Sequence, residues 1–464
     1  MEAASLPTAV IAAVRNRRNR RRLFSPPRVL ALSIAGLILG GTLLLWLPVS
    51  AGAGRHTSLL DALFTATSAV CVTGLIVQDT PRHFSAFGHV VILLLIQAGG
   101  LGYMTISTVL AAALGRSVTL QERLTLQEGL NVQGLDGLLR FAFTVLKLTL
   151  VFELTGTVIL AARWWGELGP GGAIWFGLFH AVSAFNNAGF ALWSDSLIRW
   201  RGDIVVNLVV TLLIIFGGLG FFVMAELLQR RARLSVHTRL VLVSSALLLA
   251  VGTLGIYLLE SGNPATLGPL PEGERWLAAW FQSVTPRTAG FNTLIYGAMT
   301  APALFLTMAL MFIGASPGST GGGVKTTTFS ITVAALWATL RGDDEPHVFG
   351  RRLGADVVAR AFFVSLIAFL ALNAVAGVVL LTESRDLMHT LFEVTSAFGT
   401  VGLSMGEGGA PVSLSAFFSP LGKMLMIVMM FVGRLGPLTL GFALARRATM
   451  QPRLRYPEGK VLIG

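Results

Sequence analysis

The sequence holds one cysteine, Cys71, in 464 residues, which excludes an intrachain disulfide framework and a cysteine-rich metal site. Charge is scarce: Asp, Glu, Lys and Arg make up 12% of the chain, about half the share of a soluble domain. With 54% apolar residues and a mean hydropathy of +0.73, the chain is neither a water-soluble globule nor a disordered one. Strand-length alternation is also missing, so an outer-membrane barrel is excluded. The apolar runs have helix length, and the expected class is an all-α integral membrane protein.

Eight such runs stand out, at 29–49, 86–114, 139–162, 204–229, 239–259, 301–336, 356–381 and 421–445. Each can span a hydrocarbon core of about 30 Å at about 1.5 Å per residue, given some tilt or a local break. An even number of crossings places both termini on one side. Twenty-three of the 35 Lys and Arg residues fall on that side, from the N-terminal run Arg15–Arg28 to Arg453, Arg455 and Lys460 at the other end. The opposite face carries eight, among them Arg82, Arg199 and Arg385. By the positive-inside rule both termini are cytoplasmic, in a plasma (inner) membrane. The net charge of +12 then reads as topology and contact with anionic lipid headgroups, not as a nucleic-acid site. Arginines, an apolar run and Ala51-Gly52-Ala53 imitate a signal peptide. That run is longer than the usual 7–15 residues or so, and it reads as a retained first helix.

An internal repeat emerges when glycines are aligned. FTATSAVCVTGL (64–75), FHAVSAFNNAGF (179–190), WFQSVTPRTAGF (280–291) and FEVTSAFGTVGL (392–403) follow the odd-numbered helices. Without gaps, each begins with an aromatic (Phe64, Phe179, Trp280, Phe392) and has glycine eleventh: Gly74, Gly189, Gly290 and Gly402. Serine stands fifth in three of them; the third has Val284 there and Pro286 two positions later. A second column follows in the even-numbered helices, at Gly99, Gly217, Gly314 and Gly433. The expected architecture is four fused units of outer helix, re-entrant pore loop and inner helix around a pseudo-fourfold axis. Their boundaries are 29–114, 139–230, 239–336 and 355–447, between a basic N-terminus (1–28) and a C-terminal tail (448–464). Non-helical backbone at membrane depth is tolerated where protein buries it or it lines a watery cavity.

A cation leaves water when fixed oxygens replace its hydration shell, and a ring of backbone carbonyls does this. Glycine tolerates the backbone angles such a ring requires. The loops carry no carboxylate between Val70 and Leu75 or at the corresponding places, which favours a carbonyl filter for a monovalent cation. The candidate filter is Val72-Thr73-Gly74, Asn187-Ala188-Gly189, Thr288-Ala289-Gly290 and Thr400-Val401-Gly402. Helix packing is the competing explanation for the glycines, and it accounts readily for Gly99 to Gly102. His180, Thr65, Glu393 and Phe281 share a column that reads as scaffold, Asn186 and Asn187 read as neutral supports, and Arg287 as pointing behind the loop.

On these residues the sequence resembles the Ktr/Trk/HKT superfamily of potassium transporters, and within it the Ktr membrane subunit. The first repeat begins directly after the N-terminus, GASPGSTGGGVKTTTF (314–329) matches that family's intramembrane loop, and YPEGKVLIG (456–464) resembles its C-terminal tail. The resemblance implies a K⁺-translocating pore subunit, not an enzyme, with passive K⁺ flux and Na⁺ as an activator. It also implies a homodimer above a ring of cytoplasmic nucleotide-binding regulatory chains, with no nucleotide bound by this chain. An alternating-access symporter is the alternative; it calls for inverted repeats, whereas these run parallel.

Residues 314–323 interrupt an apolar helix with Gly314, Pro317, Gly318, Gly321, Gly322 and Gly323, so the helix must open there. The run imitates a phosphate-binding loop, but Val324 stands where that motif needs glycine before Lys325. A passive kink is one reading. The other is a mobile loop beneath the filter, which the resemblance makes the gate. Its candidate residues are Gly314, Ser316, Pro317, Gly318, Ser319, Thr320, Gly321, Gly322, Gly323 and Lys325, with Thr326–Thr328 as further anchors. Arg434 aligns with Gly100, Gly218 and Ala315, so it reads as facing the axis and closing the pore; pairing with Glu153 or Glu226 is the alternative. The loop 341–354 reads equally as a docking surface and as an ordinary solvated loop.

Overall fold

The computed structural model describes residues 26–102, 138–229, 234–343 and 345–436, together with 105, 124 and 127. The N-terminal arginines before Arg28, Arg116, Arg123, Arg230, Arg231, Arg233, Asp344 and the tail 448–464 lie outside the described residues. Repeat one comprises outer helix α1 (Pro26–Trp46), pore helix α2 (Leu59–Val70) and inner helix α3 (Ala86–Leu101). In repeat two, α4 (Leu138–Phe185) is outer and pore helix together, hinged at Gly169-Pro170, followed by inner helices α5 (Ile204–Leu219) and α6 (Phe221–Leu228). Repeat three has α7 (Val236–Glu260), α8 (Glu272–Val284), α9 (Ala301–Phe312) and α10 (Thr326–Arg341). Repeat four has α11 (Ala355–Glu383), α12 (Leu387–Gly399) and α13 (Pro420–Leu435). Among the described residues, α1, α4, α7 and α11 are each long and apolar enough to cross a membrane, and α5 and α6, bent by 100°, are so when taken together.

The inner helices of repeats one, two and four carry the local break that the runs 86–114, 204–229 and 421–445 allow for. Three are 16 residues long, about 24 Å at 1.5 Å per residue, which falls short of a hydrocarbon core. Each stops at a glycine with positive φ: Gly102 (75°), Gly220 (97°) and Gly436 (79°). Only glycine adopts such angles freely. Across Gly220 the chain bends by 100° into α6. These glycines lie three residues after Gly99, Gly217 and Gly433, where repeat three has Pro317 after Gly314. The break is therefore common to all four units, and repeat three expands it into the loop between α9 and α10.

One clasp recurs in every repeat, joining the outer helix's external end to the residue that caps the inner helix. Ser85 donates through N to Ser50 O (2.9 Å) and through Oγ to Val49 O (2.6 Å). Arg163 donates to Asp203 at 2.6 Å, the carboxylate of Glu260 accepts from N and Oγ1 of Thr300 at 2.7 Å, and that of Glu383 from N and Oγ of Ser419 at 2.8 and 2.5 Å. Asp203, Ser85 and Ser419 also accept from backbone N–H groups of the first helical turn, which would otherwise be left orphaned. The ring closes between repeats four and one: Lys423 pairs with Asp61 at 2.9 Å, and Ile76 N and O bond the Oγ and N of Ser413.

Candidate functional site

The four pore helices end in the same backbone turn. Val72, Asn187, Thr288 and Thr400 all have positive φ, between 49° and 74°, and two residues on come Gly74, Gly189, Gly290 and Gly402 at 90°, 69°, 83° and 92°. Alternating the sign of φ turns successive carbonyls to one side of the strand rather than to opposite sides. For the non-glycine residues this conformation costs about 1–2 kcal/mol each, a strain that only a tightly constrained surrounding maintains.

The glycines meet in a ring. A Cβ on Gly74 would lie 2.5 Å from Ala188 O, one on Gly189 2.7 Å from Ala289 O, one on Gly290 2.4 Å from Val401 O, and one on Gly402 2.1 Å from Thr73 O. Each repeat thus sets its glycine against the carbonyl of the next, and the fourth returns to the first. The helices hold the strands from behind. Gly74 N and Gly402 N donate to Ser68 Oγ (3.0 Å) and Ser396 Oγ (3.1 Å), while Ser183 donates to Phe190 O (2.8 Å). In repeat three Thr285, not Val284, takes this role by donating to Phe291 O at 2.5 Å. The fully buried aromatic there is Phe281, with Trp280 only partly covered. Pore helix α8 is therefore displaced by one residue against the gapless alignment, with a turn one residue shorter.

The second glycine column is explained by contact with these turns. A Cβ on Gly99, Gly217 or Gly433 would fall 1.9 Å from Val70 O, Phe185 O or Phe398 O. The inner helices thus lie directly against the pore-helix ends. Gly314 differs, packing against Gly322 O within its own loop.

On one side the ring forms the floor of a cavity of about 1050 Å³ that Gly74, Gly189, Gly290 and Gly402 all line. Asp79, Asp195, Asp386 and Glu407 stand on its wall, with Arg82 against Asp79, Arg199 against Asp195 and Arg385 against Glu407. His389, bonded at 3.2 Å, holds the Asp386 carboxyl below its ordinary value.

On the opposite side the loop 313–325 presses against the ring. Gly322 N donates to Thr400 Oγ1 (3.1 Å), Thr320 Oγ1 lies 3.3 Å from Asn187 Oδ1, and a Cβ on Gly321 would meet Thr288 Oγ1 at 2.1 Å. Ser316 N and Thr320 N bond the carbonyls of Gly218 (3.0 Å) and Gly217 (3.1 Å), Gly323 N that of Gly433 (3.3 Å), and Gly318 O accepts from Phe221 N (2.9 Å). Within the loop Ser319 Oγ donates to Ser316 O, and Ser316 meets Thr326 at 2.9 Å. Pro317 O faces Gly220. Two cations hold its tip: Lys325 donates to Gly321 O at 2.7 Å, and Arg434 donates to Thr320 O and to Gly99 O.

Arg434 thus bridges repeats three, four and one through carbonyls. The carboxylates weighed as its partners are engaged elsewhere: Glu153 with Gln97 and Asn186, Glu226 with Ser235 and Thr238. Arg287 points behind the strand, to Ser245 O (3.2 Å) and Oγ (3.3 Å). His180 and Glu393 tie pore helices to neighbouring loops, as scaffold. The bonds of Lys325 and the outer-to-inner clasps leave no periodic trace in the sequence.

The profile of the family described as "TrkH: Cation transport protein" matches residues 26–452. The Ktr system potassium uptake protein B of Bacillus subtilis is 42% identical over 95% of this chain and 97% of its own length. The potassium/sodium uptake protein NtpJ of Enterococcus hirae is 38% identical over 97% and 100%. The crystal structure of the potassium transporter TrkH from Vibrio parahaemolyticus shares the fold, with a TM-score of 0.71 at 19% identity over 91% of this chain and 85% of that one.

Proposed function

The chain belongs to the TrkH family of cation transport proteins, and from that premise we propose that it is the K⁺-translocating pore subunit of a potassium uptake system. The observation that carries this reading is the closed ring of four left-handed glycines between an outer cavity and a pinned inner loop. Val72 to Gly74 and their counterparts 187–189, 288–290 and 400–402 form the filter. Their carbonyls replace water around a dehydrated K⁺, which moves down its electrochemical gradient. The loop from Gly314 to Lys325 is the gate, and its contacts beneath Asn187, Thr288 and Thr400 are those of a closed state. Arg434 and Lys325 latch it and set positive charge on the path.

The protein is a multi-pass membrane protein, and we place both termini in the cytoplasm from the distribution of its cations. The repeat boundaries 29–114, 139–230, 239–336 and 355–447 belong to the same reading. The chain works as a homodimer against anionic lipids, and a separate cytoplasmic ring of nucleotide-binding chains supplies regulation. Names of relatives that speak of a Ktr system support a partner of this kind. We propose Na⁺ as an activator; the name of the potassium/sodium uptake relative supports no more than a link to Na⁺. Deletion of Ser316–Gly323 tests the gate: K⁺ flux in vesicles should rise and lose its regulation. Unchanged, still-regulated flux would refute it.

A further inference from the structure

We propose that Glu153, Gln97 and Asn186 form a Na⁺ site in the seam between repeats one and two, behind the second filter strand. The proposal rests on the reading of Na⁺ as an activator and gives it a location. Glu153 lies on α4, Gln97 on α3, and Asn186 just past the pore limb of α4. Glu153 is 4% exposed and Asn186 fully buried. Among the described residues no cation stands within ion-pair distance of the Glu153 carboxylate, which accepts only from Asn186 Nδ2 (2.9 Å) and Gln97 Nε2 (3.1 Å). A carboxylate buried in a membrane protein without a counter-charge is costly, and such residues mark functional sites.

The bonding around Asn186 points to what is missing. Three oxygens converge on its Nδ2 at 2.9 Å: Gln97 Oε1, Glu153 Oε1 and Val182 O. An amide nitrogen has two hydrogens, which Gln97 Oε1 and Glu153 Oε1 take, while Val182 O also holds the backbone N–H of Asn186 at 3.0 Å. Meanwhile Asn186 Oδ1 is buried without a partner, against Gly100, where a Cβ would fall 1.9 Å away. The pocket holds a carboxylate without a counter-charge and an amide oxygen without a donor, both of which a cation satisfies.

Amide oxygen and nitrogen are nearly equal in size, so a half-turn of Asn186 and of Gln97 exchanges donors for acceptors without needing room. The pocket then presents both Glu153 oxygens, Gln97 Oε1, Asn186 Oδ1 and Val182 O. The atoms now stand 2.9–3.1 Å apart. An ion taking oxygens at about 2.4 Å spans an oxygen–oxygen edge of about 3.4 Å, a few tenths more. K⁺ is larger and needs a wider cage. A single carboxylate supplies a single charge, and among the described residues no group of three His, Cys, Asp or Glu could hold a metal ion, so the site suits a monovalent ion. Asn186 precedes Asn187, the left-handed residue two before Gly189, so occupancy bears directly on the second filter strand.

The test is thermal unfolding of the purified full-length chain against Na⁺ concentration. K⁺ is held saturating so that the filter stays filled, and N-methylglucamine keeps ionic strength constant. The wild type should show a saturable, Na⁺-specific rise of the unfolding temperature. Glu153→Gln should weaken the apparent Na⁺ affinity at least tenfold, and Gln97→Met, which keeps the carboxylate, should weaken it as well. An unaltered Na⁺ response in both variants would overturn the site. So would a wild type that treats Na⁺ like N-methylglucamine, the behaviour expected of a carboxyl neutralised by a proton. K⁺ flux is scored separately: its absence from wild-type vesicles would refute the pore reading whatever Na⁺ binding shows.

Discussion

Gly290→Ser puts the filter under the most direct mechanical load. A Cβ at residue 290 would lie 2.4 Å from Val401 O, where ordinary contact begins at 3.4 Å, so the strands must separate by about 1.0 Å. The backbone offers no alternative, because φ at this residue is 83°. A conformation that side chains rarely adopt adds about 1–3 kcal/mol of strain. Because each glycine touches the next repeat's carbonyl, the displacement removes one of four ligating walls at that level. Taking a carbonyl's contact with an ion as worth about 1.5–3 kcal/mol, like a hydrogen bond to a charged group, K⁺ affinity should fall about 10–100-fold. Discrimination against Na⁺ should fall with it, because a widened ring no longer has to strip the ion of water. The assay is radiotracer Rb⁺ uptake into vesicles, competed by K⁺ and by Na⁺, alongside a check that the variant folds. A correctly folded variant with unchanged K⁺ dependence and unchanged preference would refute the filter assignment.

Three further outcomes follow from the same geometry. Arg434→Ala removes the bonds to Thr320 O and Gly99 O; loss of one such charged bond, about 1.5–3 kcal/mol, should shift the closed–open balance at least tenfold and raise K⁺ flux. Gly217→Ala drives a methyl into Phe185 O, 1.9 Å away, and should destabilise the fold by about 1–3 kcal/mol in a denaturation experiment. Lys423→Met leaves Asp61 without its cation at the seam of repeats four and one, where both side chains are only 13–15% exposed. That change should cost roughly 1–3 kcal/mol, read as a lower unfolding temperature, with Asp61→Asn in the same background restoring part of it.

The fold was legible wherever the chain repeats itself. Phe64, Phe179 and Phe392 and the glycines from Gly74 to Gly402 occupy equivalent places because each unit solves the same packing problem. The register of repeat three was not legible, since Trp280 and Phe281 are adjacent aromatics and only burial distinguishes them. The places of the breaks in the inner helices were not legible either: Gly102, Gly220 and Gly436 sit in apolar sequence, and hydropathy does not register a reversed φ. Arg434 was expected to face the axis, with a carboxylate as the competing partner. Its partners are backbone carbonyls, which no side-chain pattern reveals. The clasps of Glu260 with Thr300 and Glu383 with Ser419 were missed because their partners lie 40 and 36 residues away.

The central claim is that this chain passes K⁺ through a selective pore down its gradient. The measurement that tests it most directly is the membrane potential of vesicles holding the purified chain, with separate K⁺ and Na⁺ gradients imposed. The potential should follow the K⁺ gradient and ignore the Na⁺ gradient. A potential that tracks both ions equally, or ion movement in fixed coupled ratios that continues against the K⁺ gradient, would contradict it.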